Sequence, residues 1–192
     1  MNRRDLLRSL AAALALPGMS GAAADRLLTA PRHAPGAPLR VLDPHQRAIV
    51  DTIADLIIPA TDTPGARAAQ VDAFIDLLLA EWYPADERAR FLSGLADVDV
   101  RARATYATDF VAATDAQRRE LLRTLDAEVQ ALHRAKQHPE QHFFQRMKFL
   151  TLYGYFTSEV GAKSELHYVA IPGGYDPCTP IDNAPAVPGD FW

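Results

Sequence analysis

Residues 139–159 read PEQHFFQRMKFLTLYGYFTSE. Apolar residues cover so wide an arc at helical spacing that little polar face is left. A helix that is apolar nearly all round belongs at the centre of a bundle. The stretch therefore predicts a fifth, central helix, opening after the break at Pro139, and asks for amphipathic partners on either side of it.

Those partners are legible upstream. Asp43-Pro44 supplies an N-cap followed by proline at the first helical position. The stripe Ile49, Ile53, Leu56 and Ile57 follows, and Pro59 stops it. PATDTPGA, residues 59–66, reads as a tight turn. A second helix is expected over residues 65–83, with Val71, Phe74, Ile75, Leu78 and Trp82 on one face. A third is expected over residues 84–106, through Phe91 or Leu92, Leu95, Val98, Ala102 and Tyr106. Thr114-Asp115-Ala116-Gln117 matches a capping box, and Leu121, Leu125, Val129 and Leu132 carry a fourth helix from it. No stretch alternates long enough for a sheet. Tyr168-Val169-Ala170-Ile171 is at most one short strand. The predicted fold is all-α, a bundle of about five helices.

The two ends differ from this middle. The chain opens MNRRDLLRSLAAALALPGMSGAAAD. Basic residues come first, then a run of Ala and Leu to Leu16, then small residues to Ala24, which is the order of a secretory signal. The adjacent Arg3 and Arg4 look like a twin-arginine (Tat) signal, an address read by a receptor. The apolar run is far shorter than the ~20 residues of a membrane-spanning helix. Residues 1–24 read as the signal, 25–42 as an extended lead-in with Pro31, Pro35 and Pro38, 43–170 as the helical domain, and 171–192 as an extended arm. The arm holds five prolines and three glycines, which excludes helix and interior sheet. It also holds Tyr175, Ile181, Phe191 and Trp192, anchors for packing onto the bundle itself or onto another subunit.

The formal net charge is −4, and −6 once residues 1–24 are removed. That balance argues against nucleic acid or an anionic membrane surface as the main partner. A single cysteine, Cys178, excludes an internal disulfide framework and a thiolate-rich metal site. In an exported chain a lone thiol points to an intermolecular bridge, and a buried inert cysteine is the other reading. No glycine-rich phosphate loop or nucleophile elbow is present. His138 and His142 are four apart, but Pro139 takes His138 out of the helix, so both read as surface or capping residues, with a metal pair as the alternative. Asp51 and Asp55 read as a solvated face, and Asp72 and Asp76 form another pair at helical spacing. No residue of this chain is assigned to catalysis, cofactor binding or metal binding.

Two blocks resemble a known family. DTIADLIIPATDTPGARAAQVDAFIDLLLAEWY, residues 51–83, and FLTLYGYFTSEVGAKSELHYVAIPGGYDPCTPI, residues 149–181, are similar to the gluconate 2-dehydrogenase subunit 3 family, most specifically in IIPATDTPGA and GYFTSE. The resemblance implies a non-catalytic small subunit of a periplasmic, membrane-associated dehydrogenase that oxidises a sugar, sugar acid or polyol. It implies a large partner subunit carrying FAD and a multi-haem cytochrome c subunit that passes electrons on. The small subunit would assist folding of the large one and lend it the Tat signal, and Cys178 would serve as an inter-subunit bridge. The competing reading is a free-standing periplasmic metal-binding bundle using His138 and His142.

Overall fold

Aspartate and threonine caps start two of the helices where the sequence places them. The computed structural model describes residues 40–166 and Tyr168. Among these there is no strand. Helix α1 spans Pro44–Ile57, α2 Val71–Glu81, α3 Ala85–Tyr106, α4 Asp115–Arg134, α5 Phe143–Phe156 and α6 Glu159–Ser164, with short 3₁₀ turns at Phe110–Ala112 and Pro139–Gln141. None is long and apolar enough to cross a membrane. At the start of α1, Asp43 accepts from the Gln46 N–H at 2.8 Å while the Gln46 side chain accepts from the Asp43 N–H at 3.0 Å. Thr114 and Gln117 repeat the reciprocal arrangement at α4. Each box satisfies orphan donors of a first helical turn.

Helix α5 is central, as its composition requires. It packs against each of the other five helices. Its Phe144, Met147, Leu150 and Tyr155 are buried together with Ile53, Ile75, Leu95, Leu125 and Val129 from α1 to α4. The bundle thus has one core, and α5 supplies a residue to it on every turn.

Several boundaries differ from the sequence expectation. Helix α2 begins at Val71, six residues later than Gly65, because residues 58–70 fold into a loop of their own. The Ala66 N–H bonds the Ile58 carbonyl at 2.9 Å, and Gln70 takes a left-handed conformation at φ 52° just before the helix. Gly65 sits so close to the Ile58–Ala60 backbone that a Cβ would lie 2.5 Å from the Ala60 nitrogen. Only glycine fits there. Trp82, expected on the inner face of α2, is 80% exposed. The helix ends at Glu81 and the chain turns at Pro84, so Trp82 projects past the last packed turn, and Leu79 takes the buried position. Helix α5 opens at Phe143, because Pro139–Gln141 forms a separate turn and His142 serves as its N-cap. The expected fifth helix also ends at Phe156, and a sixth short helix follows. Of the expected lead-in only residues 40–42 are described. The signal with Arg3 and Arg4, residues 169–171 of the short strand, and the arm with Cys178, Tyr175, Ile181, Phe191 and Trp192 lie outside the described residues.

Three buried carboxylates tie the helices to each other. Asp72 pairs with Arg47 of α1 at 2.6 Å. Asp76 accepts from three successive backbone N–H groups: Arg40 at 2.7 Å, Val41 at 3.0 Å and Leu42 at 2.8 Å. Asp99 accepts from the Phe110 N–H at 2.9 Å and lies beside the His45 ring and Arg103. The Asp99 hydrogen bond raises the His45 pKa above its ordinary 6.5. The charges of Asp99, Asp109 and Asp43 add to this, and burial opposes it. A histidine whose pKa is raised by folding stabilises fully below its unfolded value, and the effect is lost as pH rises through the folded value. The urea midpoint should therefore fall more steeply between about pH 6 and pH 8 in the parent chain than in His45→Gln. Equal slopes would show that the pair carries no pH-linked stability.

Candidate partner interface

A helix apolar over so wide an arc has more than one face to cover, and part of the arc of α5 stays open. Phe144, Met147, Leu150, Thr151, Gly154 and Tyr155 point inward. On the opposite arc, Phe149 is 57% exposed, Leu152 45%, Tyr153 50% and Phe156 37%. Their spacing, i, i+3, i+4 and i+7, makes one continuous stripe along the helix. The Phe149 and Tyr153 rings stack at 5.8 Å, nearly parallel at 6°. Helix α2 extends the stripe sideways, because Phe74 meets the Tyr153 ring at 5.8 Å. Gly154 makes room for that contact: a Cβ there would lie 2.6 Å from Phe74 Cδ1. Single exposed apolar side chains are ordinary on protein surfaces, whereas a contiguous aromatic stripe is a candidate interaction surface.

Behind the stripe, the two most family-specific blocks of the sequence lock together. The buried Tyr155 hydroxyl donates to the Pro64 carbonyl at 2.6 Å, across 91 residues. The Thr63 hydroxyl bonds the Glu165 carboxylate beside it. Ser158 caps α6 by accepting from the Gly161 N–H at 3.0 Å, and its hydroxyl donates to the Tyr155 carbonyl at 2.6 Å. A Cβ on Gly161 would lie 2.1 Å from that same carbonyl oxygen. Burial pushes the Tyr155 phenol upward, and the Glu165 charge adds to it. The polar groups of this cluster hold loop 58–66 and α6 against α5, which fixes the helix that bears the stripe. Tyr155→Phe leaves the Pro64 carbonyl without its donor. It should lower stability by about 1–2 kcal/mol, read as a lower urea midpoint at unchanged slope. An unchanged midpoint would mean that the loop is held by other contacts.

The histidines and carboxylates singled out in the sequence go to separate places. His138 pairs with Glu140 at 2.8 Å on the surface. His142 caps α5 through Nδ1, which accepts from the Phe144 N–H at 3.2 Å, while Nε2 faces Glu128 at 3.3 Å. Arg101 holds the Glu128 carboxyl below its ordinary value, and His142 contributes. Thus the two rings meet different carboxylates. Among the described residues no group of three or more His, Cys, Asp or Glu is placed to hold a metal ion. Asp51 and Asp55 are half-buried and share Arg67, at 3.1 and 3.6 Å, so they differ from the solvated face expected of them. Burial pushes the Asp51 carboxyl up, against the pull of Arg67.

The interface residues expected from sequence all lie in the arm, outside the described residues. The stripe of Phe149, Leu152, Tyr153 and Phe156 was missed. Residues 139–159 show only that the apolar arc is wide; which part of it stays open is set by how the neighbouring helices pack.

Compared with known proteins, residues 44–173 match the family model described as Gluconate 2-dehydrogenase subunit 3. That range includes all six helices and more than half of the chain. No curated protein matches, and no solved structure does.

Proposed function

This chain belongs to the gluconate 2-dehydrogenase subunit 3 family, and from that premise we propose that it is the non-catalytic small subunit of an FAD-dependent dehydrogenase complex, docking onto the flavoprotein through the outer face of α5. The complex oxidises a sugar, sugar acid or polyol, with FAD in the large subunit and haem c in a cytochrome subunit. The observation that carries the reading is the aromatic stripe: a family of dehydrogenase-complex subunits needs a surface for its neighbour, and the stripe is a continuous apolar surface left open among the described residues.

The escort role adds the two chain ends. Arg3 and Arg4 address the assembled pair to the Tat route and so to the periplasm, and membrane association comes through the complex. Cys178 forms a disulfide with the large subunit, which makes a reversible contact insensitive to dilution.

Lysine at both Arg3 and Arg4 tests the escort directly. Dehydrogenase activity should disappear from the periplasmic fraction while the flavoprotein accumulates in the cytoplasm. Undiminished export of the flavoprotein would refute the role. Non-reducing electrophoresis of the complex should show a slower band that Cys178→Ser removes, and absence of that band from the parent complex would refute the bridge.

A further inference from the structure

On the side of the stripe away from Phe74, the surface of α5 leads into a groove. Phe144, Lys148 and Leu152 follow one another at four-residue intervals, which puts them on one line along the helix. Leu152 belongs to the stripe. Phe144 and Lys148 line an open groove of about 380 Å³ between the end of α1, the middle of α4 and the first turns of α5. Its floor is apolar, with Leu56 and Ile57 half-buried and Leu122 and Phe144 buried. Its rim is charged, with Arg119, Arg123 and Lys148 against one carboxylate, Asp126.

The three cations differ in how far they are already engaged. Lys148 is held by Asp126 and stands 5.3 Å over the Phe144 ring. Arg123 reaches Glu120 only at 3.5 Å, and its side chain is 75% exposed. The Arg119 guanidinium has no hydrogen bond or ion pair among the described residues. Arg119 and Arg123 stand one helical turn apart on α4, with about 6 Å between their Cβ atoms. Such a pair fits two carboxylates at a similar separation, and the floor fits aliphatic or aromatic side chains. A cationic rim over an apolar floor therefore complements an acidic segment that carries apolar residues. From Arg119 to Asp126 the axis of α4 rises ~10 Å along the groove. An open trough of that length suits a short stretch of a protein, whereas small ligands are held in sites that bury most of their surface.

Given docking of the flavoprotein on the outer face of α5, on which this inference rests, we propose that the flavoprotein surface carries an acidic, apolar segment beside the patch that covers the stripe. That segment lies in the groove, with its carboxylates paired to Arg119 and Arg123 and its apolar side chains on Leu56, Ile57 and Leu122. Continuity assigns the groove to this partner: Lys148 in the rim and Leu152 in the stripe are one turn apart on the same helix.

The test uses co-expressed complexes captured on the tagged full chain under reducing conditions, with the fraction of flavoprotein retained measured across a salt series. Retention by the parent chain should fall as salt screens the rim charges. Arg119→Glu with Arg123→Glu, both at solvent-exposed positions, should weaken binding ~10-fold at low salt and flatten the salt dependence, at an unchanged urea midpoint. Leu56→Trp fills the groove and leaves the rim charges in place. It should weaken binding several-fold at every salt concentration. Parent-like retention in the charge-reversed chain would overturn the proposal. So would parent-like retention in Leu56→Trp, because the rim would then steer a partner that leaves the groove empty. Phe149→Glu with Leu152→Glu separates these failures from failure of the docking itself. If that variant alone loses the flavoprotein, the stripe docks and the groove does not. If every variant retains it, docking at α5 fails and the groove assignment fails with it. A full chain that dimerises by itself, and becomes monomeric on the charge reversal, would give the groove to a second copy and equally overturn the proposal.

Discussion

A chain carrying Phe149→Glu and Leu152→Glu is expected to lose its large partner subunit, with affinity falling at least ~100-fold. The two residues sit one turn apart in the N-terminal half of the stripe and are 57% and 45% exposed in the free chain. Buried aromatic and aliphatic anchors at an interface centre each contribute about 2–4 kcal/mol on truncation. Two glutamates go further than truncation, because each carboxylate would have to be desolvated against an apolar surface. The free chain should tolerate them. Glutamate is a good helix former, both positions face solvent, and what is lost is the stacked Phe149–Tyr153 pair, worth about 0.5–1.5 kcal/mol. Pull-down of the partner against urea stability of the variant separates the two effects. Retained binding by a folded double variant would remove α5 from the interface.

Asp76→Ala should strongly destabilise the bundle itself. Asp76 is 3% exposed, and its two oxygens receive three backbone N–H groups from residues 40–42. Alanine leaves those donors without an acceptor. A buried unsatisfied donor costs about 1–3 kcal/mol. Only Leu42 is fully buried, while Val41 is half-buried and Arg40 exposed, so the total should be about 2–4 kcal/mol. Asp76→Asn separates charge from geometry. Oδ1 alone accepts from Val41 and Leu42, so an asparagine oxygen placed there keeps two of the three bonds and should recover about half of the loss. Residues 40–42 also join everything upstream to the bundle. In Asp76→Ala, trypsin cleavage after Arg40 should become faster than in the parent chain. Equal cleavage rates would show that this segment is held by something else.

What the sequence discloses and what it withholds divide along a physical line. Features set by neighbours within one or two turns could be read directly. The Asp43–Gln46 and Thr114–Gln117 boxes are local, and both are present. The central place of α5 follows from its own composition. Features set by distant partners could not be read. Asp72 and Asp76 share a spacing with any pair of surface aspartates. Their burial depends on Arg47 and on backbone more than 30 residues upstream. The late start of α2 depends on Gly65 pressed against the Ile58–Ala60 backbone. Trp82 fits the apolar pattern of α2, and only the end of the helix at Glu81 explains why it is outside. The stripe is the most instructive case. Periodicity established that α5 is apolar all round, but which arc the other helices reach is settled by their packing.

Side-chain oxidative footprinting of the intact complex, compared with the free chain, tests most directly whether the outer face of α5 meets a neighbour. Phe149, Tyr153 and Phe156 are predicted to be labelled strongly in the free chain and several-fold less once the flavoprotein is bound. Equal labelling of those three rings in both states would contradict the account.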